Sequence, residues 1–486
     1  MRHLICAGVL ALLVCVSASA QTALQQTAEC PEPPHAFSPM TYDEDTRYLR
    51  DPACRTNLPD RLKFIPLSED SADYYLSFGA PVRERGEYFN NPNWGAGPRG
   101  SAYLLQRYYF HADAHLGTRF RAFGELGSSL ERGRTGGERP NIDEDRLDLH
   151  QAFLDIRLWQ EGKNSLTLRA GRHEMAFGNN SLISTRDGRN VRRSFDGFRM
   201  TGKWNEWSAD VLAVKPSESK PGTFDDGFDP SSNFWGVYAV GPLGGLAGGH
   251  IDLYYLGLGD RSVKYDQGTD REQRETVGTR LWGRTNRWDY TQEYTFQWGS
   301  FGSSDIRAWA MSTETGYRLD SVPFRPRFAT KADVFSGDRD RANPKLGTFN
   351  GLYEKGPYFS YAELIGKRNL MDLQPSIELA FPGRITATPN AAFFWRNSTD
   401  DGLYAAGSGV LEVSGERSRA RYIGSQAAVQ VSWSVDRHTT LFAEYLHLFP
   451  GEFVKQSTPG STFVSEGVED GSLRRCACEN GHGRGG

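Results

Sequence analysis

The chain has 486 residues, of which only 38% are hydrophobic, and its mean hydropathy of −0.56 excludes a bundle of lipid-spanning helices. Aromatic residues make up 12% and there are 53 glycines, a mixture typical of many strands joined by tight turns. The formal net charge of −4 argues against nucleic acid as a partner.

The first twenty residues have the pattern of a secretory signal peptide. A basic start at residues 1–3 precedes an apolar run at 4–16, and Ala18-Ser19-Ala20 fits the small-residue cleavage site. A membrane anchor is the alternative, which the short apolar run disfavours. We therefore expect Sec-dependent export.

Residues 21–67 are irregular and rich in proline and charge, which predicts a periplasmic lead-in rather than a packed domain. Cys30 and Cys54 flank a proline-rich part of this segment and could pair in an oxidising compartment. The sequence does not decide between a disulfide and two free thiols.

Residues 68–460 consist of segments of alternating polarity, separated by short turns and long loops in alternation. In the segment that begins at residue 288, one face carries Trp288, Tyr294 and Trp298. The other face carries Asp289 and Glu293. An exported protein without apolar helices crosses lipid as a closed barrel, which pairs every backbone amide. We expect an all-β fold, a transmembrane antiparallel β-barrel in the bacterial outer membrane; a soluble sandwich or solenoid is the alternative.

The pattern shows seventeen candidate strands, whereas bacterial barrels use even numbers, so we expect about 18. The candidates are residues 72–89, 100–113, 116–130, 147–160, 164–173, 192–204, 206–215, 233–242, 249–257, 274–283, 288–298, 305–317, 324–334, 370–381, 384–396, 420–434 and 438–449. The short connections follow every second strand and would be periplasmic turns, which leaves the long loops outside the cell.

The eighteenth strand is not visible in the sequence. Residues 461–486 lack alternation, and they carry Cys476 and Cys478, whereas residues 68–460 carry no cysteine. We interpret this tail as the product of a shifted reading frame or a gene-boundary error, with a disordered tail as the alternative. Closure of the barrel is then in doubt, because an unpaired strand edge in lipid is costly.

Motifs for bond chemistry are weak. His173-Glu174 lacks the second histidine of a zinc-binding H-E-x-x-H helix, and there is no G-x-S-x-G sequence. An outer-membrane enzyme would need a catalytic group near a strand end, and His173, His438 and His447 have no visible partner set. Acidic clusters at 143–145, 225–229 and 338–340 could bind calcium, but solvated loop charge is the commoner explanation. We expect no enzyme, no metal and no cofactor.

The lumen is predicted to carry more basic than acidic side chains, which would favour anions. The alternative is that these charges pair across neighbouring strands and only stiffen the wall. The candidate lumenal residues are Arg83, Arg107, Arg119, Arg121, Arg169, Arg172, Arg199, Arg325, Lys331 and Arg396. A loop after residue 173 holds Arg186, Arg189, Arg192 and Arg193, either as an anion-collecting loop or as solvated surface.

From about residue 62 to 458 the chain resembles the alginate export family of outer-membrane barrels. The resemblance rests on LKFIPL, YYLSFGAPVRERGEYF, LLQRYYFHADAHLG, LRAGRHEMAFG, FFWRNSTDDGLY, ARYIGSQAAVQVSW and LFAEYLHLFPGEFVKQSTPG. It implies an eighteen-stranded barrel with a cationic constriction, which in the best-known members secretes alginate. Arg83, Arg107, Arg169, Arg172 and Arg396 lie in the matching strings. The missing final strand departs from the family pattern.

These observations predict a channel for export or diffusion of an anionic saccharide, such as alginate, or of a similar anionic solute. The alternatives are a general diffusion porin with structural lumenal charges and an outer-membrane enzyme. The expected partners are outer-membrane lipid and the anionic solute; docking to periplasmic export machinery stays open.

Overall fold

The computed structural model describes residues 30, 40–91, 93–95, 100–137, 139, 142–246, 248–406, 409, 411–458 and 464–473. The predicted signal peptide at 1–20, most of 21–39 and the tail beyond 473 lie outside the described residues. Short 3-10 helices lie at Thr41–Asp43, Arg47–Arg50, Pro52–Cys54, Asn93–Gly95 and Gly415–Arg417, and the α-helices are α1 (Leu58–Lys63) and α2 (Glu452–Ser457). Among the described residues, no helix has the length and apolar character that a membrane span requires.

The rest of the described chain is mostly strand. The strands are β1 (Ile65–Pro66), β2 (Tyr74–Gly79), β3 (Val82–Asn90), β4 (Gly100–Leu116), β5 (Phe120–Arg132), β6 (Asp145–Glu161), β7 (Asn164–His173), β8 (Phe195–Trp204), β9 (Trp207–Glu218), β10 (Gly227–Phe228), β11 (Ser232–Pro242), β12 (Gly249–Tyr265), β13 (Gly268–Arg284), β14 (Trp288–Phe301), β15 (Ser304–Arg318), β16 (Arg327–Phe335), β17 (Lys345–Leu346), β18 (Leu370–Phe381), β19 (Ile385–Arg396), β20 (Leu403–Tyr404), β21 (Leu411–Val413), β22 (Tyr422–Ser434), β23 (Thr440–Pro450) and β24 (Val464–Leu473).

Eighteen of these strands pair antiparallel in succession around the wall of the barrel. They are β3 to β9, β11 to β16, β18, β19 and β22 to β24. β24 pairs with β23 on one side and with β3 on the other, so the last strand meets the first. β2 extends the line of β3 along β4. Each of the seventeen predicted segments overlaps a wall strand.

The expectation that the final strand is missing is wrong. Residues 464–473 read VSEGVEDGSL, and this segment gives no period-two apolar signal. Backbone hydrogen bonds form a strand without such a signal when both neighbouring edges are available. The shifted-frame interpretation of residues 461–486 stays a prediction.

Alternation along β4 shows how the wall is oriented. Leu104 and Phe110 are exposed on the outer face, whereas Arg107 and His111 on the inner face are buried. An apolar exterior with a polar interior is the pattern of a barrel in lipid. One end of the barrel has short connections such as 117–119 and 205–206, and we call it the short-turn end; the other is the long-loop end.

The lumen is filled by segments that fold inward. Near the short-turn end, Tyr42 of the N-terminal segment 40–64 packs edge-on against Phe123 and Phe153 of the wall. A disulfide joins Cys30 to Cys54, with Cα atoms 5.5 Å apart, which settles the alternative left open by the sequence.

Two loops meet inside the barrel, loop 174–194 after β7 and loop 336–369 after β16. Ile183 forms a parallel bridge with Tyr353, and the Tyr353 amide donates to the Leu182 carbonyl at 2.9 Å. Arg189 forms an ion pair with Glu363. The two loops therefore support each other across the lumen.

Candidate channel site

A row of charged side chains crosses the inner wall from β5 to β9. Arg121 on β5 lies opposite Asp155 on β6, which lies opposite Arg169 on β7. Arg169 lies directly opposite Arg199 on β8. We call Arg121, Arg169 and Arg199 the basic row. Two like charges directly opposite each other destabilise a sheet, so this placement needs carboxylates nearby.

Each arginine of the basic row has such a carboxylate. The pairs are Arg121 with Asp113, Arg169 with Asp155 and Arg199 with Asp210, all with an Nε–oxygen distance of 2.8 Å. Arg169 and Arg121 each donate a second hydrogen bond to the same aspartate. Bidentate geometry of this kind fixes the guanidinium planes. The basic row is therefore a paired, rigid part of the wall.

The N-terminal segment covers the basic row from the inside. The Arg169 guanidinium lies 4.1 Å from the centre of the Tyr42 ring, and Arg121 donates to the Tyr42 carbonyl. The Tyr42 hydroxyl donates to the Glu174 carbonyl at 2.8 Å. Burial raises the pKa of Asp43 above its ordinary value, and Arg169 and Arg199 oppose that rise. The chain thus holds one of its own carboxylates beside the row.

A cavity of about 350 Å³ opens below the row at the short-turn end. Its wall includes Arg119, Arg157 and Lys203, which we call the basic mouth. All three side chains are exposed, and none forms an ion pair with any residue that the structure describes. The carboxylates that line the cavity come largely from the N-terminal segment, as Asp43, Glu44 and Asp45.

The structure gives two of the predicted lumenal arginines an anchoring role. Arg83 donates to the carbonyls of Asp187 and Arg189 at 2.7 and 2.8 Å. Arg107 donates to the Asp187 carboxylate at 2.6 Å. Both side chains are buried, and both hold loop 174–194 against the wall. The loop arginines are therefore neither solvated surface nor an open collecting loop: Arg192, for example, pairs with Glu174 at 2.7 Å.

Two further candidates also have partners within the fold. Arg172 forms a bidentate pair with Asp196 at 3.0 and 3.1 Å. The Lys331 ammonium donates to the Tyr358 carbonyl at 3.2 Å and lies over the Tyr358 ring. It therefore supports loop 336–369.

The lumenal placement predicted for Arg325 is wrong, whereas Arg396 lies on the inner face of its strand together with the buried Ala392 and Phe394. Arg325 is exposed in the turn before β16 and has a positive φ of 42°, so strand alternation does not apply to it. Arg396 ends β19 and is fully buried beneath loop 397–421. Its guanidinium donates to backbone carbonyls there, including that of Ser418 at 2.7 Å.

Sequence reasoning missed the residues that assemble the lumen. Asn190 is completely buried, and its side-chain amide donates to the carbonyls of Gln106, Leu130 and Asp143 at 3.0 to 3.1 Å. Lys367 donates to the Ser181 carbonyl at 2.7 Å, and burial lowers its pKa to about 7. Loop residues have no periodicity, so only the inward fold reveals these contacts.

The fold defines a β-barrel channel of the bacterial outer membrane, with a paired basic row and an exposed basic mouth. The family model for alginate export matches residues 74–463, and the chain belongs to this family. No curated protein matches the chain.

Solved porins share the fold. A BenF-like porin from Pseudomonas fluorescens Pf-5 is 11% identical, with a TM-score of 0.52 over 81% of this chain and 98% of that one. Pseudomonas aeruginosa OpdK with vanillate is 11% identical, with a TM-score of 0.51 over 81% and 98%. P. aeruginosa OccK2 (OpdF) in complex with glucuronate is 10% identical, with a TM-score of 0.51 over 82% and 98%. At these identities the likeness concerns the fold alone.

Proposed function

We propose that this outer-membrane channel passes an anionic saccharide or a similar carboxylate-bearing solute and performs no bond chemistry. The observation that carries the proposal is the basic mouth. Arg119, Arg157 and Lys203 are exposed around one cavity, and they have no ion pair among the described residues. Exposed cations at a pore entrance raise the local concentration of anions and lower the barrier to entry.

The chemistry of the basic mouth supports the same direction of selectivity. A guanidinium can fork onto a carboxylate, so Arg119 and Arg157 suit a solute that carries one or more carboxylates.

The solved relatives add a weaker argument by analogy. Glucuronate and vanillate, bound in two of the porins of this fold, are both carboxylates. The proposal also includes Sec-dependent export of the chain, after which residues 1–20 are removed. The proposal does not choose alginate among the anionic saccharides, and it does not specify a periplasmic export partner.

A second candidate is a general diffusion porin whose lumenal charges are structural. The pairing of Arg121, Arg169 and Arg199 with one aspartate each favours it, because a paired row contributes little net field. The two candidates differ in the role of the basic mouth, whose cations would be without effect in a general porin.

The reversal potential of the full chain in a planar bilayer under a KCl gradient tests the proposal. We expect the wild type to prefer chloride and Arg157→Gln with Lys203→Gln to lose most of that preference. Removing a charge that acts at about 4 Å in water costs about 1 kcal/mol, or about a fivefold change in permeability ratio.

Arg325→Gln is the matched control, because it removes a cation that is exposed at the same end but does not line the cavity. It should leave the reversal potential unchanged. Equal chloride and potassium permeability in the wild type, or equal effects of all the substitutions, would favour the general porin.

A further inference from the structure

An acidic cluster lies at the long-loop end of the barrel, far from the basic mouth in the wall. Asp145 and Asp148 belong to the start of β6, and Asp226 belongs to the loop between β9 and β10. One carboxylate oxygen of each residue lies within 4.8 Å of the corresponding oxygens of the other two. Positions about 80 residues apart in the chain are thus brought to one point.

The docking of loop 219–226 onto β6 builds this cluster. Thr223 forms a parallel bridge with Leu147, and the Phe224 amide donates to the Leu147 carbonyl at 2.9 Å. The amides of Asp225 and Asp226 donate to the Asp148 carboxylate at 2.8 and 3.0 Å. The backbone therefore holds the carboxylate of Asp226 close to two others.

The described residues supply no ion pair that balances the charge of the cluster. Among the described residues, no lysine, arginine or histidine forms an ion pair with Asp145, Asp148 or Asp226. The nearby Arg172 guanidinium is engaged in a bidentate pair with Asp196. Three carboxylates held together without a cation repel one another, which opposes the docked loop.

A buried oxygen without a partner points to what balances the charge. Asp145 is only 6% exposed, and its Oδ1 accepts no hydrogen bond from any residue that the structure describes. An unsatisfied buried carboxylate oxygen is costly, and such an atom calls for a missing partner. Because this residue belongs to the cluster, a cation bound to its carboxylate would also lie near the carboxylates of Asp148 and Asp226.

We propose that Asp145, Asp148 and Asp226 bind one calcium ion, which fastens loop 219–226 to the long-loop end of β6. Carboxylate oxygens are the ligands that calcium prefers, at about 2.3–2.6 Å, so oxygens on opposite sides of the ion are about 5 Å apart. Magnesium demands near-ideal octahedral geometry at about 2.0–2.1 Å and is usually bound by one or two carboxylates with several waters, so a set of three protein carboxylates suits calcium better. Backbone oxygens and water complete the shell.

Calcium titration calorimetry of the chelator-treated full chain in detergent tests this site. We expect one saturable site with a dissociation constant of about 10⁻⁵ to 10⁻³ M, typical of sensor and extracellular calcium sites. Asp145→Asn and Asp226→Asn should each weaken binding about tenfold or more, because each removes one ligand charge.

Asp340→Asn is the matched control, since Asp340 is an exposed aspartate of another long loop. Among the described residues, its side chain accepts only the local amide of Ala342. It should bind calcium like the wild type. The unheated gel mobility of each variant checks that the barrel has formed; if Asp145→Asn fails this check, Asp226→Asn decides, because its side chain lies in the loop.

No saturable calcium binding by the wild type would overturn the proposal, and so would wild-type affinity in the folded Asp226→Asn variant. Tighter binding of magnesium than of calcium would also overturn it.

Discussion

The basic row and the basic mouth lie next to each other on the inner wall, yet the cations of the row are ion-paired and those of the mouth are exposed. Arg121, Arg169 and Arg199 are each held by an aspartate, and Tyr42 covers Arg169. Arg157 and Lys203 at the mouth are exposed to the cavity. Deep in the lumen, charge is therefore used for structure, whereas we propose that at the entrance it is available to a solute.

The largest effect is expected from a substitution that breaks an ion pair of the basic row. Asp155→Ala leaves Arg169 buried without its bidentate partner, and loss of one member of a buried pair costs about 3–5 kcal/mol. Urea unfolding of the full chain in lipid vesicles measures this loss. Lys203→Gln is the control, because an exposed substitution at the mouth should change the free energy of unfolding by less than about 0.5 kcal/mol. Equal stability of the two variants would remove the distinction between row and mouth.

A smaller effect is expected where loop 174–194 is anchored. Asn190→Ala removes the donor to the carbonyls of Gln106, Leu130 and Asp143, and unsatisfied buried groups cost about 1–3 kcal/mol. The loop should then leave the wall more often, which would appear as larger and noisier single-channel currents. Asn179→Ala, an exposed position of the same loop, should leave the currents unchanged. If the currents of Asn190→Ala were as quiet as those of the wild type, the loop would not limit the pore.

The smallest effect concerns the contact between the N-terminal segment and the interior. Tyr42→Phe removes the hydroxyl that donates to the Glu174 carbonyl but keeps the ring over Arg169. One hydrogen bond contributes about 0.5–1.5 kcal/mol, so the unfolding free energy should fall by about that amount. The reversal potential should stay at the wild-type value. A change in selectivity without a change in stability would place the segment in the solute path.

The sequence predicted the wall well because membrane strands carry a period of two. Arg121, Arg169 and Arg199 face the lumen as the alternation predicted, and the resemblance indicated the family that the family model then matched. The pattern failed where no alternation exists. β24 has an irregular sequence, and Arg325 lies in a turn.

Long-range contacts account for the rest. Nothing local in the sequence shows that Arg189 meets Glu363, or that Asp226 meets Asp145, because these pairs depend on loops that fold inward or across the rim. The alternation along a strand also could not predict which charged residues form ion pairs. The facing of Arg169 follows from its own strand, but its aspartate partner follows from the register between two strands.

Uptake of glucuronate compared with glucose into liposomes that contain the full chain tests the central claim most directly. The two solutes are similar in size and differ in one carboxylate. The basic mouth predicts that glucuronate enters faster than glucose and that Arg157→Gln with Lys203→Gln removes this advantage. Equal or slower entry of glucuronate in the wild type would contradict an anion-selective channel.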